Sequence, residues 1–149
     1  MVELKRTNSE DKDFQYLVSE LDKDLAIRNG ETNEIFVQYN KTDQIKNVLV
    51  AFIDSTPVGC GAMKKYDPNT MEIKRMYVAL HLRGKGIAAA ILQDLEKWAK
   101  ELGYSKCVIE TGDQMPEAIG LYKKSNYIVI PNYGPYRHIE CSICFEKNI

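Results

Sequence analysis

Arg83-Gly84-Lys85-Gly86-Ile87-Ala88 follows a strand-like run, Met71-Glu72-Ile73-Lys74-Arg75-Met76-Tyr77-Val78, and opens an amphipathic segment. In that segment Ile87, Ile91, Leu95, Trp98 and Leu102 recur at helical spacing. Lys97 and Lys100 place positive charge near the end of this helix, and Gly103 suits the position just past it. The apolar run Cys107-Val108-Ile109-Glu110-Thr111 then reads as another strand. Strand, glycine turn, helix and strand make a βαβ unit, whose second strand lies parallel to its first. A glycine turn that opens a helix leaves backbone N–H groups without intrahelical partners, where the helix dipole favours an anion. Gly84 and Gly86 let a ligand approach the backbone, and Arg83 and Lys85 bring formal charge for the same anion. A phosphate or pyrophosphate fits such a site, although a turn that merely needs positive φ uses the same residues.

Upstream, residues 47–53 and 58–65 read as strands joined by a turn at Asp54-Ser55-Thr56-Pro57. A second turn, Asp67-Pro68-Asn69-Thr70, leads into the strand 71–78, so three strands form an antiparallel meander. Residues 2–6 form a first strand, and Ser9 is read as the cap of a helix carrying Phe14, Leu17, Val18, Leu21 and Leu25. Residues 28–32 read as a polar loop, and 35–39 fit helix and strand equally. Downstream, Pro116 opens a helix ending near Lys124, and Asn126 supplies the left-handed stop. Strands follow at 127–130 and 141–145, with a Pro- and Gly-containing loop, 131–136, between them. The pattern gives one mixed α/β domain over residues 1–149 with a mostly antiparallel sheet.

Composition narrows the function classes. The formal net charge is −1 and no basic block occurs, so no nucleic-acid partner is expected. No run reaches the length of a membrane span, and the N-terminus lacks the apolar core of a signal peptide. A cytoplasmic protein with reduced thiols is the expectation. Cys141 and Cys144 form a C-x-x-C near His138, but without a second pair they make a poor zinc site. The four cysteines, which include Cys60 and Cys107, read as small apolar residues, and no metal is expected.

Two nucleotide motifs fail at the glycine loop. Gly-x-Gly-x-x-Gly would need glycine at Ala89, and the P-loop would need four residues between its glycines. Arg83, Gly86 and Ala88 instead match Arg/Gln-x-x-Gly-x-Gly/Ala. With Ala118, Leu121, Tyr122 and the aromatic Tyr127 at the expected separation, the chain resembles the GNAT N-acetyltransferase superfamily over residues 48–145. The resemblance implies a twisted sheet flanked by helices around a central βαβ unit. It implies acetyl-CoA as cosubstrate, bound by the main chain of Met76, Tyr77 and Val78 and by the loop Arg83, Gly84, Lys85, Gly86, Ile87 and Ala88. It also implies direct acetyl transfer to the amine of a small, amino-acid-like acceptor, with dimerisation a recurrent property of such folds. Glu72 is the first candidate for the base, Glu110 the second and a water relay the third, with Tyr122 as acid to the leaving thiolate. A CoA-binding module without turnover is the alternative, and Glu72, Glu110 and Tyr122 together favour the enzyme. Two departures stand out. Asp113 and Gln114 occupy a region where the family often carries Asn, and Asn126 replaces a glycine. For the acceptor, Tyr133 and Tyr136 either line its pocket or pack as loop aromatics. Glu20, Asp22 and Asp24 offer charge to an amine or form a solvated face, and Arg28 and Arg137 are candidates for a carboxylate.

Overall fold

The computed structural model describes residues 1–37 and 44–149. Seven strands form one sheet in the order β1-β2-β3-β4-β5-β7-β6: β1 (Glu3–Thr7), β2 (Asn47–Ile53), β3 (Thr56–Asp67), β4 (Thr70–Val78), β5 (Lys106–Gly112), β6 (Ile128–Ile130) and β7 (Ser142–Asn148). Among the described residues four α-helices accompany it: α1 (Lys12–Asn29), α2 (Asn33–Val37), α3 (Ile87–Glu101) and α4 (Pro116–Lys124). β4 and β5 pair in parallel, as the βαβ reading requires, and the other strand pairs among the described residues are antiparallel.

Both faces of the sheet are covered, which explains the nearly continuous apolar run of β2. Val48 and Val50 join Phe14, Leu17 and Val18 under α1. Leu49 and Ala51 face the other way, into the cluster built on Ile91, Leu92 and Leu95 of α3. The hairpin between β2 and β3 turns on two residues, Asp54 and Ser55, at φ 48° and 67°. That is the backbone of a tight hairpin turn, so Thr56 and Pro57, expected in the turn, belong to β3.

Three local expectations are corrected and one open assignment is narrowed. Asp11, not Ser9, caps α1: its carboxylate accepts from the N–H groups of Asp13 (2.9 Å) and Phe14 (3.1 Å). The same carboxylate binds Lys5 and Thr7, which the Ser9 hydroxyl cannot match. Residues 28–32 are not a loop, because α1 runs on to Asn29 and a 3-10 turn follows at Gly30–Thr32. Of the ambiguous stretch 35–39, residues 35–37 are helical and 38–39 lie outside the described residues. β7 runs to Asn148 because β5 and β6 pair with it on both edges.

Close packing of α3 depends on Gly59 and Gly61 in β3. A Cβ on Gly61 would lie 2.7 Å from Met76 Sδ and 2.9 Å from both Ile91 Cγ2 and Leu95 Cδ1. Overfilling a packed contact costs about 1–3 kcal/mol. Gly61→Ala is therefore expected to lower the midpoint of thermal unfolding by several degrees. An unchanged midpoint would show that α3 can move away freely.

β4 carries the feature that shapes the site. Cys60 lies opposite Tyr77 and Ala62 opposite Lys74, so Gly61 alone faces both Arg75 and Met76. This is a β-bulge, and Arg75 sits in the left-handed region at φ 60°. The extra residue resets the alternation of side chains. Lys74 shares the face of Ala62, under α1, and Arg75 also turns to α1, where it pairs with Asp22. Met76 and Val78 return to the α3 face.

Candidate active site

The parallel pairing of β4 with β5 runs from Thr70 opposite Lys106 to Ile73 opposite Ile109 and stops. Beyond it β4 stays with β3, and β5 stays with β7 as far as Gly112 opposite Ser142. The two strands therefore part, leaving residues 74–78 and 110–112 unpaired with each other. The backbone freed by this splay can pair with an extended, amide-containing ligand.

Two cavities meet at the splay. The larger, about 520 Å³, lies toward α3 and α4 and reaches Gly84, Gly86, Ile87 and Ala88. The smaller, about 100 Å³, lies under α1 and is walled by Glu72, Lys74, Arg75 and Glu110. Met76 and Tyr122 line both.

At the larger cavity, Gly86 is the N-cap of α3 at φ 84°, and Gly84 lies at φ 80°. A Cβ on either would enter open space. Glycine is thus demanded by the backbone conformation rather than by crowding. No side chain caps α3, and its first intrahelical bond runs from Ala90 N–H to the Gly86 carbonyl. The N–H groups of Ile87, Ala88 and Ala89 are left for an anion. The residues present thus fit the pyrophosphate of CoA at this turn.

Arg83 differs from the sequence expectation. It lines the cavity, but its guanidinium is already engaged. Nε donates to the Val78 carbonyl at 2.8 Å and Nη2 donates to Asp24 at 3.3 Å. Glu117 lies at 3.7 Å, and the group stands over the Tyr77 ring at 5.6 Å. Arg83 thus ties the end of β4 to α1 and α4, and its charge is shared with two carboxylates. Lys85 is exposed.

Tyr122 on α4 is buried, and its ring packs against Tyr127 (6.0 Å) and Phe145 (5.6 Å). Burial raises its phenol pKa above the usual value, so it stays protonated. Across the splay, Glu110 accepts a hydrogen bond from Ser142 Oγ at 2.7 Å. Burial pushes its carboxyl up to about 7, against the opposing pull of Ser142 and Lys74. Glu72, two residues before Lys74, is also buried. Its carboxylate accepts from the Tyr133 hydroxyl at 2.8 Å, and Lys74 Nζ stands 4.0 Å away. Burial lowers the pKa of Lys74. Tyr136 lines the smaller cavity and its hydroxyl lies 3.3 Å from Lys74 Nζ, whereas Tyr133 reaches the site through Glu72.

The other acceptor candidates are spent elsewhere. Glu20 pairs with Lys23, Asp22 with Arg75, and Asp24 with Arg28 and Arg83. Arg28 is held by Asp24 and Glu117, and Arg137 is exposed. Gln114 bonds to Asp113. Cys60, Cys107 and Cys144 are buried free thiols, and Cys141 is half-buried. Sequence reasoning missed Lys74 and Arg75. Their signal was there: three charged residues, Glu72, Lys74 and Arg75, inside a central strand, where charge is rarely buried without a role. Among the described residues no helix is long and apolar enough to cross a membrane, and no cluster of three His, Cys, Asp or Glu side chains is arranged to hold a metal.

The profile of the acetyltransferase (GNAT) family matches residues 7–127. An IAA acetyltransferase of Azospirillum brasilense is 32% identical over 133 residues, covering 88% of this chain and 87% of its own. Among solved structures, an acyl-CoA N-acyltransferase of Klebsiella pneumoniae superposes with a TM-score of 0.82 at 24% identity, covering 99% and 97% of the two chains. The PaiA N-acetyltransferase of Thermoplasma acidophilum, solved with coenzyme A, superposes with a TM-score of 0.76 at 20% identity over 100% and 99%. The sheet split between β4 and β5, the open N-terminus of α3 and these matches agree: the chain belongs to the GNAT acetyltransferase family and is an acetyl-CoA-dependent acyltransferase.

Proposed function

We propose that this protein moves an acetyl group from acetyl-CoA to the primary amine of a small acceptor, by direct attack in a ternary complex. The observation that carries this reading is the meeting of two cavities of unequal size at Met76 and Tyr122. Acetyl-CoA supplies the acetyl thioester, and the larger cavity suits it. The main chain of Met76, Tyr77 and Val78 pairs with the pantetheine arm, and Gly84, Lys85, Gly86, Ile87 and Ala88 surround the pyrophosphate. The amine enters from the smaller cavity. Its nitrogen bonds to the acetyl carbon as the carbon–sulfur bond breaks. Glu110 takes the amine proton, Tyr122 gives its proton to the leaving thiolate, and the Met76 N–H faces the developing oxyanion. Glu110 is taken as the base because its carboxyl, pushed up to about 7, matches the working pH at which a general base is most effective.

The test is free-thiol release from acetyl-CoA across amines, amino acids and peptides, with calorimetry against CoA. Amine-dependent release is expected. CoA binding without release on any acceptor would favour the non-catalytic module, and no CoA binding would overturn both. Arg83 gives a sharper check. Arg83→Ala removes a cation and leaves Asp24 and Glu117 at the cleft with Arg28 as their remaining partner. CoA affinity is expected to fall about tenfold, the scale of one charged partner lost at an interface. Unchanged affinity would remove the charge of this loop from the binding account.

A further inference from the structure

Lys74 and Arg75 line the smaller cavity and carry no proton in the proposed transfer, although Lys74 favours the ionised form of Glu110. The β4 bulge places these two consecutive cations on one face. The Arg75 side chain is 2% exposed; its Nη2 pairs with Asp22, and among the described residues its buried Nε donor has no hydrogen-bond partner. A buried N–H left unsatisfied is costly, and so is the left-handed backbone that holds it there. Lys74 Nζ lies 3.3 Å from the Tyr136 hydroxyl and 4.0 Å from Glu72. Glu110 walls the same cavity of about 100 Å³. Lys74, Arg75, Glu72 and Glu110 all line this small space, and a lining of both signs is complementary to a ligand that carries both signs a few atoms apart. A plain amine would leave the Arg75 Nε donor without an acceptor.

We propose that the acceptor is an amino acid, with Lys74 and Arg75 holding its carboxylate while its amine faces Glu110 and the splay. This inference rests on the transferase reading and adds the substrate class. It assigns Lys74 and Arg75 as specificity-determining residues.

The test compares, at saturating acetyl-CoA, the twenty standard amino acids, their α-carboxamides and a set of simple primary amines. Amidation removes the carboxylate and also lowers the amine pKa, which by itself favours the amide, so the comparison is stringent. For the preferred amino acid, kcat/KM is expected to exceed that of its carboxamide by about 10- to 100-fold, the worth of a charge-assisted hydrogen bond. Lys74→Met should raise KM for the amino acid more than for the carboxamide, so that this ratio falls, and Lys74→Arg should restore it. Equal kcat/KM for acid and amide in the unmodified enzyme would overturn the inference and leave acetyl transfer standing. That comparison needs no variant and so does not depend on one folding. Turnover on amines or peptides but on no amino acid would overturn the inference alone, and turnover on no acceptor of any class would overturn the transferase reading with it.

Discussion

Tyr122→Phe is expected to lower kcat by about 10²- to 10³-fold, the usual worth of a positioned proton donor, with CoA affinity unchanged. The substitution removes one oxygen and keeps the ring. The edge contact with Phe145 and the tilted contact with Tyr127 survive, so the fold should be retained. Tyr122 lines both cavities, which on the proposed reading puts the residue where the two substrates meet. Its raised pKa keeps the phenol protonated through the neutral range, so it donates without titrating. The variant should therefore lose rate evenly across pH and keep the shape of the wild-type profile. Single-turnover kinetics with preformed enzyme–acetyl-CoA complex would separate a slower chemical step from slow product release. Unchanged turnover would sink the acid assignment and leave Tyr122 as a core aromatic.

The parts of the site legible in the sequence are those set by local chemistry. The glycine turn, the apolar stripe of α3, Pro116 at the start of α4 and Asn126 at φ 73° each depend on their own neighbours. The parallel β4–β5 pair follows from the βαβ rule, with no tertiary detail needed. What was not legible depends on groups far apart in the chain. Arg83 is held by Asp24 from α1 and Glu117 from α4, and its own segment gives no hint of either. Glu72 and Glu110 look alike as strand glutamates. They differ because the Tyr133 hydroxyl donates to the buried Glu72, while Glu110, half-buried beside Ser142, has its carboxyl pushed upward. The bulge at Arg75 was hidden as well, since it shows only when the register with β3 is known. Without it, Lys74 and Arg75 would point to opposite faces of the sheet.

Glu110→Gln separates activity from stability. In the wild type, kcat/KM should rise with pH along a limb whose midpoint lies near 7, because the carboxyl of Glu110, pushed up to about 7, accepts the amine proton only when ionised. The groups facing it set that value: Ser142 from β7 and Lys74 from β4 favour the carboxylate, and Glu72 opposes it. Glutamine cannot take a proton at neutral pH. The variant should lose about 100-fold in kcat/KM, and its limb near 7 should vanish, leaving only the titration of the amine itself. Stability should move the other way. A carboxyl whose folded pKa lies above its unfolded value binds more protons folded than unfolded between about 4.5 and 7. Wild-type stability therefore falls as pH rises through that window, and the penalty persists above it. Glutamine carries no such charge and can still accept the Ser142 hydroxyl. At pH 8 the variant should unfold at a higher temperature than the wild type, and the gap should close as the pH falls toward 4.5. Slower catalysis with greater stability at pH 8 is the signature of a half-buried base held ready to ionise. An intact limb near 7 in the variant would overturn the assignment of Glu110 as the base.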